Sequence, residues 1–121
     1  FVAFGLFGAA QAATDLEITD VLNSNLTYVA NSGRWSGSGT TVLGDTTADP
    51  TGITYVVSGQ TVTATIASVP ANTTGRVSFS VNVNAGTAPG TIPNDADFNY
   101  DDDANGTTPD RTGTSNQVSF T

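Results

Sequence analysis

The chain is predicted to fold as an all-β, antiparallel β-sandwich, and three observations carry that prediction. Two runs alternate cleanly between apolar and polar residues. In the first, Val62, Ala64 and Ile66 alternate with Thr61, Thr63 and Thr65; in the second, Val77, Phe79, Val81 and Val83 alternate with Ser78, Ser80, Asn82 and Asn84. Successive side chains of a strand point to opposite faces, so each run reads as one buried face and one wet face. Turn formers recur about every 8 to 12 positions, the spacing of a sandwich of about 7–8 short strands. The chain's 21 Thr and 10 Ser favour strands and turns over helix, and no window carries an amphipathic helical period.

Taken in order, the first ten residues are the outlier. Phe1-Val2-Ala3-Phe4-Gly5-Leu6-Phe7-Gly8-Ala9-Ala10 contains no charge and no hydrogen-bonding side chain. As a regular strand it would carry Phe1, Ala3, Gly5, Phe7 and Ala9 on one face and Val2, Phe4, Leu6, Gly8 and Ala10 on the other. Both faces are apolar, so such a strand needs cover on both sides. Weaker strand runs follow at Leu16 to Val21, Leu26 to Val29, Ile53 to Val57, Ala96 to Tyr100 and Gln117 to Thr121. Ser58-Gly59, between two β-rich runs, predicts a tight hairpin. Pro70-Ala71-Asn72, Pro89-Gly90 and Asn105-Gly106 supply further turns. Residues 31–49, rich in Gly, Ser and Thr around Trp35, read as a long loop or a ragged edge strand. The organisation is therefore residues 1–13 as an apolar N-terminal strand and residues 14–121 as one domain.

Composition removes several function classes. The 121 residues carry a formal charge of -8, with three Arg (Arg34, Arg76 and Arg111) and no Lys. Nucleic-acid binding needs a cluster of cations, and an anionic membrane surface would repel this chain. No His and no Cys leaves the usual nucleophile–base pairs and zinc sites without members. No Gly-rich loop precedes a helix, so a nucleotide site is unsupported. The expectation is a protein that is not an enzyme and requires no cofactor. With Phe at position 1 and no Met, the sequence reads as a processed or truncated product.

Three candidate sites stand out. Asp101-Asp102-Asp103-Ala104-Asn105-Gly106 matches D-x-D-x-N-G, in which oxygen ligands at alternate positions precede a Gly at a sharp turn. Calcium held by Asp101, Asp103 and Asn105 is one reading, with Thr112 where helix-loop-helix sites place a Glu; a solvated acidic turn is the other. Sequons place candidate glycosylation at Asn25, Asn72 and Asn105. Trp35 reads as a core or inter-subunit anchor, the alternative being a sugar-stacking aromatic.

The run Asp15-Leu16-Glu17-Ile18-Thr19-Asp20-Val21-Leu22 followed by Asn25-Leu26-Thr27-Tyr28-Val29 resembles the conserved-repeat domain of bacterial and archaeal surface proteins (domain of unknown function eleven). That family's pattern runs roughly V-x-D-x-L-P-x-x-L-x-Y-V. The likeness continues through residues 61–71 and 75–81, and ends at Pro89-Gly90-Thr91-Ile92-Pro93-Asn94 and Tyr100-Asp101-Asp102. It implies an immunoglobulin-like fold and an extracellular, cell-surface setting. The family opens with a polar alternating strand of the type Y-T-I-T-V-x-N, whereas Phe1 to Ala10 stands in that place here. The sandwich is therefore expected to lack a strand of its own and to keep a groove that such an apolar segment fits.

Four readings of that segment compete: a signal-peptide remnant, a membrane helix, an internal strand of its own domain, and a strand donated to the next subunit. Donation is the expectation carried forward, with Phe1, Val2, Phe4, Leu6 and Phe7 as the inter-subunit residues. A head-to-tail joint that does not close into a ring generates a filament of copies of the chain. The alternative function is an adhesin or stalk module that binds glycans or proteins through its loops.

Overall fold

The computed structural model describes residues 2–8, 12–35, 41–46, 49–103, 109–115 and 117–120, with 2–8 and 118–120 described as backbone. All regular structure among them is β. The strands are β1 (Val2–Gly8), β2 (Ala13–Val21), β3 (Leu26–Tyr28), β4 (Arg34–Trp35), β5 (Thr41–Val42), β6 (Ile53–Ser58) and β7 (Thr61–Val69). They continue as β8 (Thr74–Phe79), β9 (Val81–Val83), β10 (Ile92–Asn94), β11 (Ala96–Asp101), β12 (Arg111–Thr114) and β13 (Val118–Phe120). Every pairing is antiparallel. No helix among the described residues is long and apolar enough to cross a membrane.

A five-stranded sheet has the order β12-β11-β2-β7-β6, and a four-stranded sheet the order β1-β8-β4-β5. Two short pairs extend them. The pair β3-β9 continues the line of β8 past Ser80, whose carbonyl accepts from Val29 N at 2.9 Å. The pair β10-β13 continues the β11-β12 hairpin past Ser115, whose N–H donates to Ala96 O at 2.8 Å. The expected hairpin is present: Ser58 pairs with Thr61, and Gly59 turns the chain at a φ of 60°. Only a residue without Cβ adopts that backbone cheaply.

Alternation sets the core. Leu16 and Ile18 on β2, Val62, Ala64 and Ile66 on β7, and Val77 and Phe79 on β8 are buried, together with Leu22, Leu26, Leu43, Tyr55, Ile92 and Ala96. Each fully buried side chain of this kind contributes about 1.5–3 kcal/mol relative to exposure. The opposite face of the five-stranded sheet carries Glu17 and Thr19 beside Thr63 and Thr65, directly opposed across the ladder. Thr suits that position because its branched β-carbon fits a pleated surface while its hydroxyl stays wet. The segment 31–49, expected as a loop or ragged edge, forms the two-residue strands β4 and β5. β10 and β12 fall where the sequence showed no alternation.

Candidate functional site

The segment that dominated the sequence sits on its own chain. β1 pairs with β8, with Val2 opposite Phe79, Ala3 opposite Ser78 and Phe4 opposite Val77. The register then shifts, so that Phe7 stands opposite Gly75 and Gly8 opposite Thr74. Three steps along β1 thus match two along β8, a bulge around Gly5. A regular strand would have put Phe4 and Phe7 on opposite faces. With the bulge, Val2, Phe4 and Phe7 all stand opposite buried positions of β8, namely Phe79, Val77 and Gly75. The residues opposite the less buried Ser78 and Thr74 are Ala3 and Gly8. The shift thus places Val2, Phe4 and Phe7 on one register line, opposite buried positions of β8, and Ala3 and Gly8 opposite its less buried ones.

The way β1 enters is also specific. Gly8 stands opposite Thr74 in one sheet, and Ala13 stands opposite Val69 in the other. β1 and β8 thus belong to one sheet, and β2 and β7 to the other. Phe1 lies outside the described residues, and Leu6 falls within the register shift of β1.

The acidic loop comes together in part. Carboxylate oxygens of Asp101, Asp103 and Asp110 lie within 4.8 Å of one another. Asp101 is buried and the other two are exposed. Oδ1 of Asp101 accepts from Asp103 N at 3.0 Å, and Oδ2 of Asp110 accepts from Asp102 N at 3.2 Å. Arg111 Nε donates to Asp102 Oδ2 at 2.8 Å. That hydrogen bond holds the Asp102 carboxyl below its ordinary range. Three hard oxygen donors at this spacing fit a divalent cation such as calcium. Asn105, expected as the third ligand, lies outside the described residues, and Asp110 is the carboxylate that the motif did not identify.

Trp35 packs half-buried against the core cluster. Asn25 and Asn72 are exposed in turns, Asn72 at a φ of 56°. Asn105 as a glycosylation candidate again falls outside the described residues.

Two polar groupings escaped the sequence reading. Tyr55 donates its hydroxyl to Tyr28 Oη at 3.2 Å, and Tyr28 donates to Asp45 Oδ1 at 2.6 Å. Burial, and for Tyr28 next its bond to Asp45, pushes both phenols above their ordinary range. Asp49 accepts from Gly44 N at 2.9 Å and from Tyr55 N, pinning the segment after β5 onto β6. The second grouping lies in the core. Asp20 on β2 and Asn94 on β10 are 2% and 4% exposed, and Asn94 Nδ2 donates to both Asp20 oxygens at 3.0 and 2.9 Å. The only hint in the sequence was an Asp at an inward position of the run Leu16, Ile18, Asp20, Leu22.

No protein-family model matches the chain, and comparison with curated proteins and with solved structures finds no match either.

Proposed function

We propose that this chain is a non-enzymatic, extracellular building block of a surface filament, an immunoglobulin-like module of the conserved-repeat kind. Its joint is the β1–β8 ladder, exchanged between copies: β1 of one molecule occupies the β8 edge of the next. The observation that carries this reading is the register. β1 is apolar, shifted in register between Phe4 and Phe7, and sets Val2, Phe4 and Phe7 opposite the buried positions of β8. A strand so matched to its groove makes the same backbone bonds whether it arrives from its own chain or from a neighbour. Exchange of identical elements between protomers is a low-cost route to assembly. With no Cys and no Lys in the chain, the joint is non-covalent. Calcium at Asp101, Asp103 and Asp110 would rigidify the β11–β12 loop without taking part in the joint.

A second reading has its own support. β1 closes on its own β8, which leaves the domain complete as a monomeric stalk or adhesin module. The two readings separate by cross-linking, on a background free of Cys. Ala3 and Ser78 are directly opposed, and paired positions in a ladder stand about 4.5–5.5 Å apart at Cα, within disulfide reach. Ala3→Cys and Ser78→Cys are made in separate chains, mixed at high concentration and oxidised. A hetero-dimeric disulfide between the two variants supports exchange. Its absence, alongside an efficient intrachain disulfide in the double variant, establishes the stalk reading and removes the filament.

A further inference from the structure

We infer that Asp20 and Asn94 form a proton-operated latch in the core, tighter in acid and looser when Asp20 ionises. Register places Asp20 between Ala96 of β11 and Val62 of β7, both buried, so its carboxyl lies inside the apolar layer rather than at its rim. One amide nitrogen serves both carboxylate oxygens. Meanwhile Asn94 Oδ1 is buried with no donor. An acid and a primary amide have a better arrangement open to them. With a proton on Asp20, its O–H donates to Asn94 Oδ1 while Asn94 Nδ2 donates to the other Asp20 oxygen. That ring satisfies the orphaned acceptor and removes a charge from the core, two changes of the same sign.

The surroundings agree with that geometry. Burial raises the Asp20 carboxyl from its ordinary 3.8 to about 6, against the lowering effect of the Asn94 bond and with a further push from Asp95. The titratable groups felt at this position are Asp95, next to β10, and the Tyr55 phenol on β6. Neither offers a positive charge. The sign follows from linkage: a folded value above the unfolded one makes the contribution full below about 4 and lost as pH rises through about 6. The latch ties β2 to β10, and β10 holds the last strand, β13. Loosening is therefore expected first at that end of the sheet.

Thermal unfolding of the full chain between about pH 4.5 and about pH 8 tests the latch, with Asp20→Asn as the variant. The expected result is a Tm that falls by roughly 5 °C or more between about pH 4.5 and about pH 6 and levels off above that, and a much smaller fall in Asp20→Asn, whose amide is neutral throughout. The general repulsion among the remaining carboxylates is common to both proteins, so it does not mimic this difference. An equal fall in the variant, or a wild-type Tm that stays level or rises, overturns the proposal. Carboxyl-carbon NMR of the unmodified chain gives a readout independent of the variant. An Asp20 midpoint near 6, with the Asn94 side-chain amide signals moving in the same titration, supports the latch; a midpoint near 3.8, or stationary amide signals, removes it.

Discussion

Two glycines and one aspartate show how single residues decide local packing. A Cβ on Gly33 would meet Tyr55 at 2.7 Å and Leu43 at 3.2 Å, and both neighbours are buried. A Cβ on Gly113 would meet Phe98 at 2.6 Å, but that ring is only half-buried. The Tyr55 ring is buried, whereas Phe98 lies beside the edge strand β12. Gly33→Ala is therefore expected to cost about 1–3 kcal/mol, and Gly113→Ala clearly less, as read by urea denaturation. A larger loss at Gly113 would show that Phe98 is the more rigid of the two. Asp49 acts by hydrogen bonding instead. Its carboxylate takes the N–H of Gly44 and of Tyr55, so Asp49→Ala strands two backbone donors. A loss of about 1–3 kcal/mol is expected, with faster amide exchange at Gly44 as its local signature.

At the level of elements, bulges and breaks decide which residues meet. The shift between Phe4 and Phe7 brings Val2, Phe4 and Phe7 into register with the buried positions of β8. The β10–β11 stretch is broken at Asp95, and its partner hairpin crosses the break through Ser115, whose Oγ accepts from Ala96 N at 3.0 Å. The loop between β11 and β12 gathers acids at the far end of the same hairpin. Asp101 is fixed there by its pairing with Thr14 of β2, and Asp110 arrives at the start of β12. Like charges so close repel, and a divalent cation relieves that repulsion. Calcium titration should therefore release or absorb heat and raise Tm. Asp101→Asn together with Asp103→Asn should abolish both effects. No heat, with a Tm indifferent to chelator, would mean that the loop is a solvated acidic turn. The exposed Arg111–Asp102 pair beside it contributes little to stability, because water and salt screen it.

For the whole molecule, the proposed exchange would set a closed monomer against a polymer on terms that nearly cancel. The β1–β8 backbone bonds would be the same in both forms, so the difference would lie in the link from β1 to β2 and in the entropy of association, and concentration would decide. Exchange also requires β1 to leave β8 first, which makes it slow at low temperature. The cross-link between Ala3→Cys and Ser78→Cys chains should accordingly rise with protein concentration and appear faster after brief warming. A yield independent of both would point to random collision rather than strand exchange. The core latch adds a condition. Above about pH 6 Asp20 carries its charge inside the fold, so opening should be easier in neutral solution than in mild acid.

Amino-acid order alone determined the fold class, because a period of two over Thr61 to Ile66 and Val77 to Val83 has no other economical burial. It also determined the hairpin at Gly59, the inward line of Leu16 and Ile18, and the acidic loop as a place of crowded charge. Tertiary structure decided what period and composition do not encode. The bulge in β1 depends on the spacing of buried positions along β8, more than sixty residues away in the chain. That Asp110 lies close to Asp101 and Asp103 depends on how β12 returns beside β11. Asp20 looked like one polar residue in an alternating run until Asn94, 74 positions later, was brought against it in the core. In each case the deciding contact is long-range, and its chemistry appears only when two strands that are silent about one another in the sequence share a face.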